Sequence, residues 1–99
     1  MSERELQNAI KEFLRRAGWE VIVNSKHVKA LAQERDKPDL IAFRHDVTLL
    51  VECKSESGQL RPGQAAFRER MKTHLGPHLK YVAPHSFAEF MMEYESYYC

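Results

Sequence analysis

Pro38-Asp39-Leu40-Ile41-Ala42-Phe43-Arg44-His45-Asp46-Val47-Thr48-Leu49-Leu50-Val51-Glu52-Cys53-Lys54 is the stretch that decides how this 99-residue chain reads. Two apolar segments, residues 39–43 and 47–54, flank His45-Asp46, which predicts a β-hairpin closed by a short turn. Successive strand residues face opposite sides. Glu52 and Lys54 therefore share one face, and Val51 and Cys53 point the other way, toward a core. A hairpin joined near residue 45 brings Asp39 back alongside Glu52. Two carboxylates and an ammonium converge at one end of a sheet.

Such a pair needs a physical reason. Like charges side by side repel, and a carboxylate on a half-buried strand is costly to desolvate. A divalent cation removes the conflict. Mg²⁺ prefers carboxylate oxygens and keeps several waters, which leaves room for a phosphate oxygen and an attacking water. Lys54 would stabilise developing charge and orient the nucleophile. The plainer alternative has Asp39 capping a turn and Glu52–Lys54 forming an exposed pair. An isolated E-x-K is common enough to favour that alternative, but the Pro-Asp on a preceding strand and the hairpin between favour the site.

Outward from the hairpin, residues 3–17 place Leu6, Ile10, Phe13, Leu14 and Ala17 at helical spacing, and Gly18 ends the helix. At 100° per residue Glu3 lies about 35° from the centre of that apolar stripe and Glu5 about 125° away. Glu3 is either a fraying end residue or an acid reaching a metal held by the sheet, with Glu5 as the fallback. Residues 19–23 read as a strand. Residues 24–37 read as a polar loop, with room for a helical turn at 30–33. Pro62 suits the first turn of a second helix that carries Phe67, Met71 and Leu75 on one stripe and stops at Gly76-Pro77. Gln64 shares that stripe. It either bonds the backbone at the helix start or holds a carboxylate or a metal-bound water. Residues 79–83 form a fourth strand. Ser86-Phe87-Ala88-Glu89 has the form of a capping box opening a terminal helix with Phe87, Phe90, Met91, Tyr94 and Tyr98 on one face. The order α-β-β-β-α-β-α predicts one mixed α/β domain over residues 1–99.

Composition narrows the class. At 29% charged and 43% hydrophobic, the chain has the balance of a soluble globular domain. No apolar run approaches the ~20 residues of a membrane span. The opening Met1-Ser2-Glu3-Arg4-Glu5 lacks the basic-then-apolar order of a signal peptide, so a cytoplasmic protein is expected. Cys53 and Cys99 cannot make a disulfide framework. His74 and His78 have ligand spacing, but Gly76-Pro77 breaks the helix that would align them, and no zinc site is expected. Phosphate-loop, nucleophile-elbow and dinucleotide motifs are absent. The net charge of +1 hides an asymmetry, because Glu89, Glu93 and Glu95 are the only charged residues from position 81 onward. With those three set aside from the 14 acids, the first 80 residues hold 15 Lys and Arg against 11 Asp and Glu. That balance permits a nucleic-acid surface.

Pro38-Asp39…Glu52-Cys53-Lys54 resembles the PD-(D/E)xK signature of restriction-endonuclease-like nucleases. Glu3-Arg4-Glu5-Leu6-Gln7, Gly18-Trp19, Lys37-Pro38-Asp39-Leu40-Ile41-Ala42, Val51-Glu52-Cys53-Lys54, Gly58-Gln59-Leu60 and Gln64 together resemble the VRR-NUC family, over nearly the whole chain. That family comprises virus-type replication and repair nucleases, stand-alone in phages and bacteria or fused to larger DNA-repair enzymes. The resemblance implies a restriction-endonuclease-like core, a small mixed sheet flanked by helices. It implies Mg²⁺- or Mn²⁺-dependent hydrolysis of DNA phosphodiesters, leaving a 5′-phosphate and a 3′-hydroxyl. Asp39 and Glu52 are then metal ligands, with the Cys53 carbonyl as a further ligand. Lys54 is the base or stabiliser and Gln64 its supporting glutamine. The first-helix acid corresponds best to Glu3. Lys37 stands where a glycine usually precedes the Pro-Asp, and Cys53 replaces an aliphatic residue. Neither departure touches a ligand side chain.

Stand-alone members look like homodimers that resolve Holliday junctions, and a two-fold dimer supplies the two active sites that symmetric cleavage needs. The apolar face of the terminal helix either meets a partner or packs on its own sheet. Phosphate contacts are expected from Lys26, His27, Lys29 and Arg35 on the long loop and from Arg61 and Arg68 near the second helix. A flap or nicking nuclease acting on branched DNA, and a catalytically silent DNA-binding module, are the competing readings.

Overall fold

Gly18 shows how the first element is ended. Its φ of +92° is open to glycine without strain. It lets the Trp19 N–H reach the Leu14 carbonyl at 2.9 Å and the Gly18 N–H reach Arg15 at 3.2 Å. These two bonds are the Schellman pattern that satisfies the last carbonyls of a helix. The helix they close, α1, spans Glu3–Arg16 and starts at Ser2, whose side chain and backbone exchange hydrogen bonds with Glu5. The computed structural model describes residues 2–24, 37–54 and 58–99. The loop expected over 24–37, with its helical turn, falls almost wholly outside them.

After α1 the elements are β1 (Glu20–Val23), β2 (Leu40–Arg44), β3 (Val47–Val51), α2 (Pro62–Met71), β4 (Leu79–Val82) and α3 (Phe87–Tyr98). Among the described residues this is the order expected from the sequence, with one 3₁₀ turn, Lys72–His74, added after α2. The sheet order is β1-β2-β3-β4. β1–β2 and β2–β3 are antiparallel, and β3–β4 is parallel across the α2 crossover. The fold is a small mixed sheet with flanking helices. The β2–β3 hairpin turns at His45-Asp46, where His45 holds a φ of +57°, the positive value that two-residue hairpin loops demand.

The core lies on one face of the sheet. Leu6, Ile10 and Leu14 of α1 pack on Val21, Leu40, Ala42, Leu49, Val51, Cys53 and Val82, with Phe90 and Tyr94 of α3 closing the cluster. The Phe13 ring meets Phe87, Phe90 and Tyr94 edge-on, with centroids 6.1, 6.0 and 5.0 Å away. Phe90 and Tyr94 of α3 are thereby buried inside the molecule, with Phe87, Met91 and Tyr98 packed against them. Of the two readings left open for this face, packing within the chain accounts for these rings: a Phe, Met and Tyr stripe gives the period of an apolar face and not what covers it. One correction concerns α2. Its α-helical turns end at Met71, and Leu75 is extended and 38% exposed, so the expected Phe67–Met71–Leu75 stripe stops one turn early. No helix of the described residues is long and apolar enough to cross a membrane.

Candidate active site

The opposite face of the sheet carries the polar residues. Leu40 pairs with Val51, and continuing that register by one step sets Asp39 opposite Glu52. β2 gives out at this point, and its ladder is replaced by a side chain: Asp39 Oδ2 accepts the Cys53 N–H at 2.8 Å. On the other side the chain still runs along β4, with the Glu52 N–H bonded to the Val82 carbonyl at 2.9 Å and the Lys54 N–H to Pro84 at 3.0 Å. Residues 52–54 are therefore held as a strand by one neighbour and by an aspartate. The expected strand over 47–54 ends its regular ladder at Val51 for this reason.

Parity works as predicted. Cys53 is buried in the core, and Glu52 and Lys54 face α2. Both are almost inaccessible, at 1% and 7%, as is Gln64 at 3%. Burying them is tolerable because each has partners. Gln64 Nε2 donates to Glu52 Oε1. Gln64 Oε1 accepts from Lys54 Nζ at 3.2 Å and from the Arg61 N–H at 2.8 Å. The two roles weighed for Gln64 are thus filled together: one atom caps the helix start, and the amide also bridges the buried acid and base.

These groups open on a cavity of about 290 Å³ lined by Glu3, Asp39, Glu52, Cys53, Lys54, Arg61 and Gln64. All the residues expected to bind metal or to catalyse meet there. The two first-helix acids are placed differently. Glu3 lines the cavity, and Glu5 accepts the Ser2 N–H at 3.1 Å, a bond that holds its carboxyl below the usual glutamate range. Among the described residues no three His, Cys, Asp or Glu side chains are grouped to hold a metal ion. The acids on the cavity wall are Asp39, Glu52 and Glu3.

Of the six residues expected on DNA, Lys26, His27, Lys29 and Arg35 lie outside the described residues. Arg61 lines the cavity. The Arg68 guanidinium stands 5.7 Å from the centre of the Tyr81 ring. The sequence reading missed a second groove of about 480 Å³, which shares Glu3 and Asp39 and runs along α1 past Arg4, Gln7, Asn8 and Lys11. Helical phase could have found it, because positions 4, 8 and 11 form one stripe beside Glu3.

The sequence model of the archaeal Holliday junction resolvase (hjc) family matches residues 1–62. That span holds Glu3, Asp39, Glu52, Cys53, Lys54 and Arg61 and stops just short of Gln64. No curated protein sequence matches the chain. A solved structure titled VRR_NUC domain superposes with a TM-score of 0.75 at 24% identity, over 99% of this chain and 100% of that one. That likeness extends the common fold through α2, β4 and α3. With nearly two thirds of its length matched, the chain belongs to the archaeal Holliday junction resolvase family of nucleases and has the fold of a VRR_NUC domain.

Proposed function

We propose that this chain is a metal-dependent, structure-selective DNA endonuclease that cuts Holliday junctions as a homodimer in the cytoplasm. The observation that carries the reading is the buried relay Glu52–Gln64–Lys54 facing the same cavity as Asp39. A structural ion pair has no need of an opening with a second carboxylate on its wall.

The donor chemistry fits Mg²⁺ or Mn²⁺. Such ions are held by one or two carboxylates and retain waters, so a pair suffices. Asp39 and Glu52 would hold the ion, with the Cys53 carbonyl as a further oxygen. When bound, the ion supplies Lewis acidity to a phosphate oxygen and a more acidic water. Asp39 holds the Glu52–Cys53 peptide through the 2.8 Å bond to the Cys53 N–H, and the bond from the Lys54 N–H to Pro84 at 3.0 Å holds the next peptide, the one that carries the Cys53 carbonyl. Lys54, steadied by Gln64 Oε1, brings a positive charge to the scissile phosphate and orients the attacking water. Hydrolysis then breaks the P–O3′ bond, leaving a 5′-phosphate and a 3′-hydroxyl. Arg4, Lys11 and Arg61 flank the two openings and suit the neighbouring phosphates, a sequence-independent contact.

Symmetric junction cutting needs two sites. The sheet surface beside α2 suits the second copy. Ile22 is 52% and Phe43 40% exposed, and with Ile41 they form a strip on the sheet face opposite the core.

The test is cleavage of labelled four-way junction, flap and duplex DNA in Mg²⁺, Mn²⁺ or EDTA, beside Asp39→Asn and Lys54→Ala, with folding checked by circular dichroism. Paired symmetric nicks in the junction, absent with EDTA and in both folded variants, are expected. Cutting confined to the flap would replace the resolvase by a flap nuclease. Binding without cleavage in every metal would leave a silent DNA-binding module.

A further inference from the structure

Among the described residues two buried hydroxyls lack a hydrogen-bond partner, those of Tyr81 and Tyr98. Tyr98 sits among rings, with Trp19 and Tyr94 centred 5.2 and 5.1 Å away, and its ring accounts for its burial. Tyr81 has a different setting. It pairs with Leu50 across the parallel β3–β4 register. Glu52, two residues beyond Leu50, shares that face, which makes Tyr81 and Glu52 diagonal neighbours within reach of a long side chain.

The helix that serves the active site also holds this ring. Phe67 lies 6.2 Å from it and the Arg68 guanidinium 5.7 Å, one turn beyond Gln64 on the same side of α2. Burial first, and then the charges of Glu52 and Asp39, push the Tyr81 hydroxyl well above the ordinary tyrosine range. Packing alone would be met by a phenylalanine, since a buried hydroxyl without a partner is unfavourable. The carboxylates that hold a metal ion are themselves hydrogen-bonded by outer groups, and losing such a group typically weakens metal affinity 10- to 100-fold.

We propose that Tyr81 is a positioning residue of the metal site, its O–H bonding water held between it and the Glu52–Asp39 pair and so raising the affinity for a divalent cation. The inference rests on the metal-dependent reading above. It is tested by titrating Mn²⁺ calorimetrically into the DNA-free wild type, Tyr81→Phe and Tyr98→Phe, with a thermal melt of each. Tyr81→Phe should bind Mn²⁺ about 10-fold more weakly at an undiminished melting temperature, with Tyr98→Phe equal to wild type in affinity. Equal affinity in Tyr81→Phe and wild type overturns the inference and leaves the nuclease reading standing. Equal weakening in both variants, or a melting temperature lowered in Tyr81→Phe, assigns the hydroxyl to general packing and also overturns it. A wild type that takes up no Mn²⁺ overturns the metal-dependent reading and this inference with it.

Discussion

A primary amide offers an acceptor at one end and donors at the other, and Gln64 uses both ends on groups that must not move. Its oxygen holds the Arg61 N–H and Lys54 Nζ, and its nitrogen holds Glu52. Gln64→Ala would remove one hydrogen bond each from a buried acid, a buried base and a helix-start N–H. Hydrogen bonds to charged groups contribute roughly 1.5–3 kcal/mol each, and water entering the enlarged cavity recovers part of that. The expected loss is about 2 kcal/mol in urea unfolding, with single-turnover cleavage slowed at least ~10-fold. Gln64→Glu keeps the acceptor for Arg61 and Lys54 but sets a second carboxylate against Glu52, and should be the worse of the two in both assays. The reverse ranking would place the role of Gln64 in the helix cap alone. Asp39, Glu52, Lys54 and Gln64 were legible in the sequence because strand parity and helical phase are local properties. Tyr81 was not. Its proximity to Glu52 depends on a parallel register set by the α2 crossover, and no local pattern encodes that register.

At the scale of elements, the ends were harder to read than the elements themselves. The β2–β3 pairing, its hairpin turn and the three helices follow from period and punctuation, whereas the β1–β2 pairing across residues 24–37 does not. The regular ladder of β3 stops at Val51 because an aspartate side chain takes over from the missing strand beside Cys53, an arrangement that requires the partner strand to be known. The end of α1 was legible from one residue. Gly18 at φ +92° has room for a methyl group, since a Cβ there would come no closer than 4.0 Å to Arg44. Any penalty for Gly18→Ala is therefore conformational and not steric crowding. A left-handed backbone costs an L-residue roughly 1–2 kcal/mol, partly offset by a less flexible unfolded chain. A net loss of about 1 kcal/mol is expected in urea unfolding, with the slope of the unfolding line unchanged. A larger loss would mean that the Schellman bonds also hold Trp19, whose indole N–H donates to Tyr94 at 3.1 Å.

At the scale of the molecule, the division of the sheet is the organising fact. One face is closed by α1 and α3 over the core. Among the described residues the other carries α2, which covers Glu52, Lys54 and Tyr81, and Ile22 of β1 and Phe43 of β2 are exposed there. The sequence left the terminal helix's apolar face open between a partner and the chain's own sheet, since an amphipathic period cannot tell an internal contact from an external one. The strip through Ile22, Ile41 and Phe43 is the surface proposed above for a second copy. A stable dimer takes roughly 800 Å² from each partner, about an eighth of the 6239 Å² exposed here. β1 and β2 supply the apolar centre of such a patch, and their polar neighbours would form its rim. If this strip joins two copies, a charge at its centre should separate them without disturbing either active site. Ile22→Lys, at an edge-strand position already half exposed, should shift the light-scattering mass from twice 11.6 kDa to 11.6 kDa. Paired junction cuts should then give way to single, uncoupled nicks. A variant that stays dimeric and cuts symmetrically would move the interface off this face. A wild type that is monomeric yet cuts both strands would remove the dimer from the mechanism.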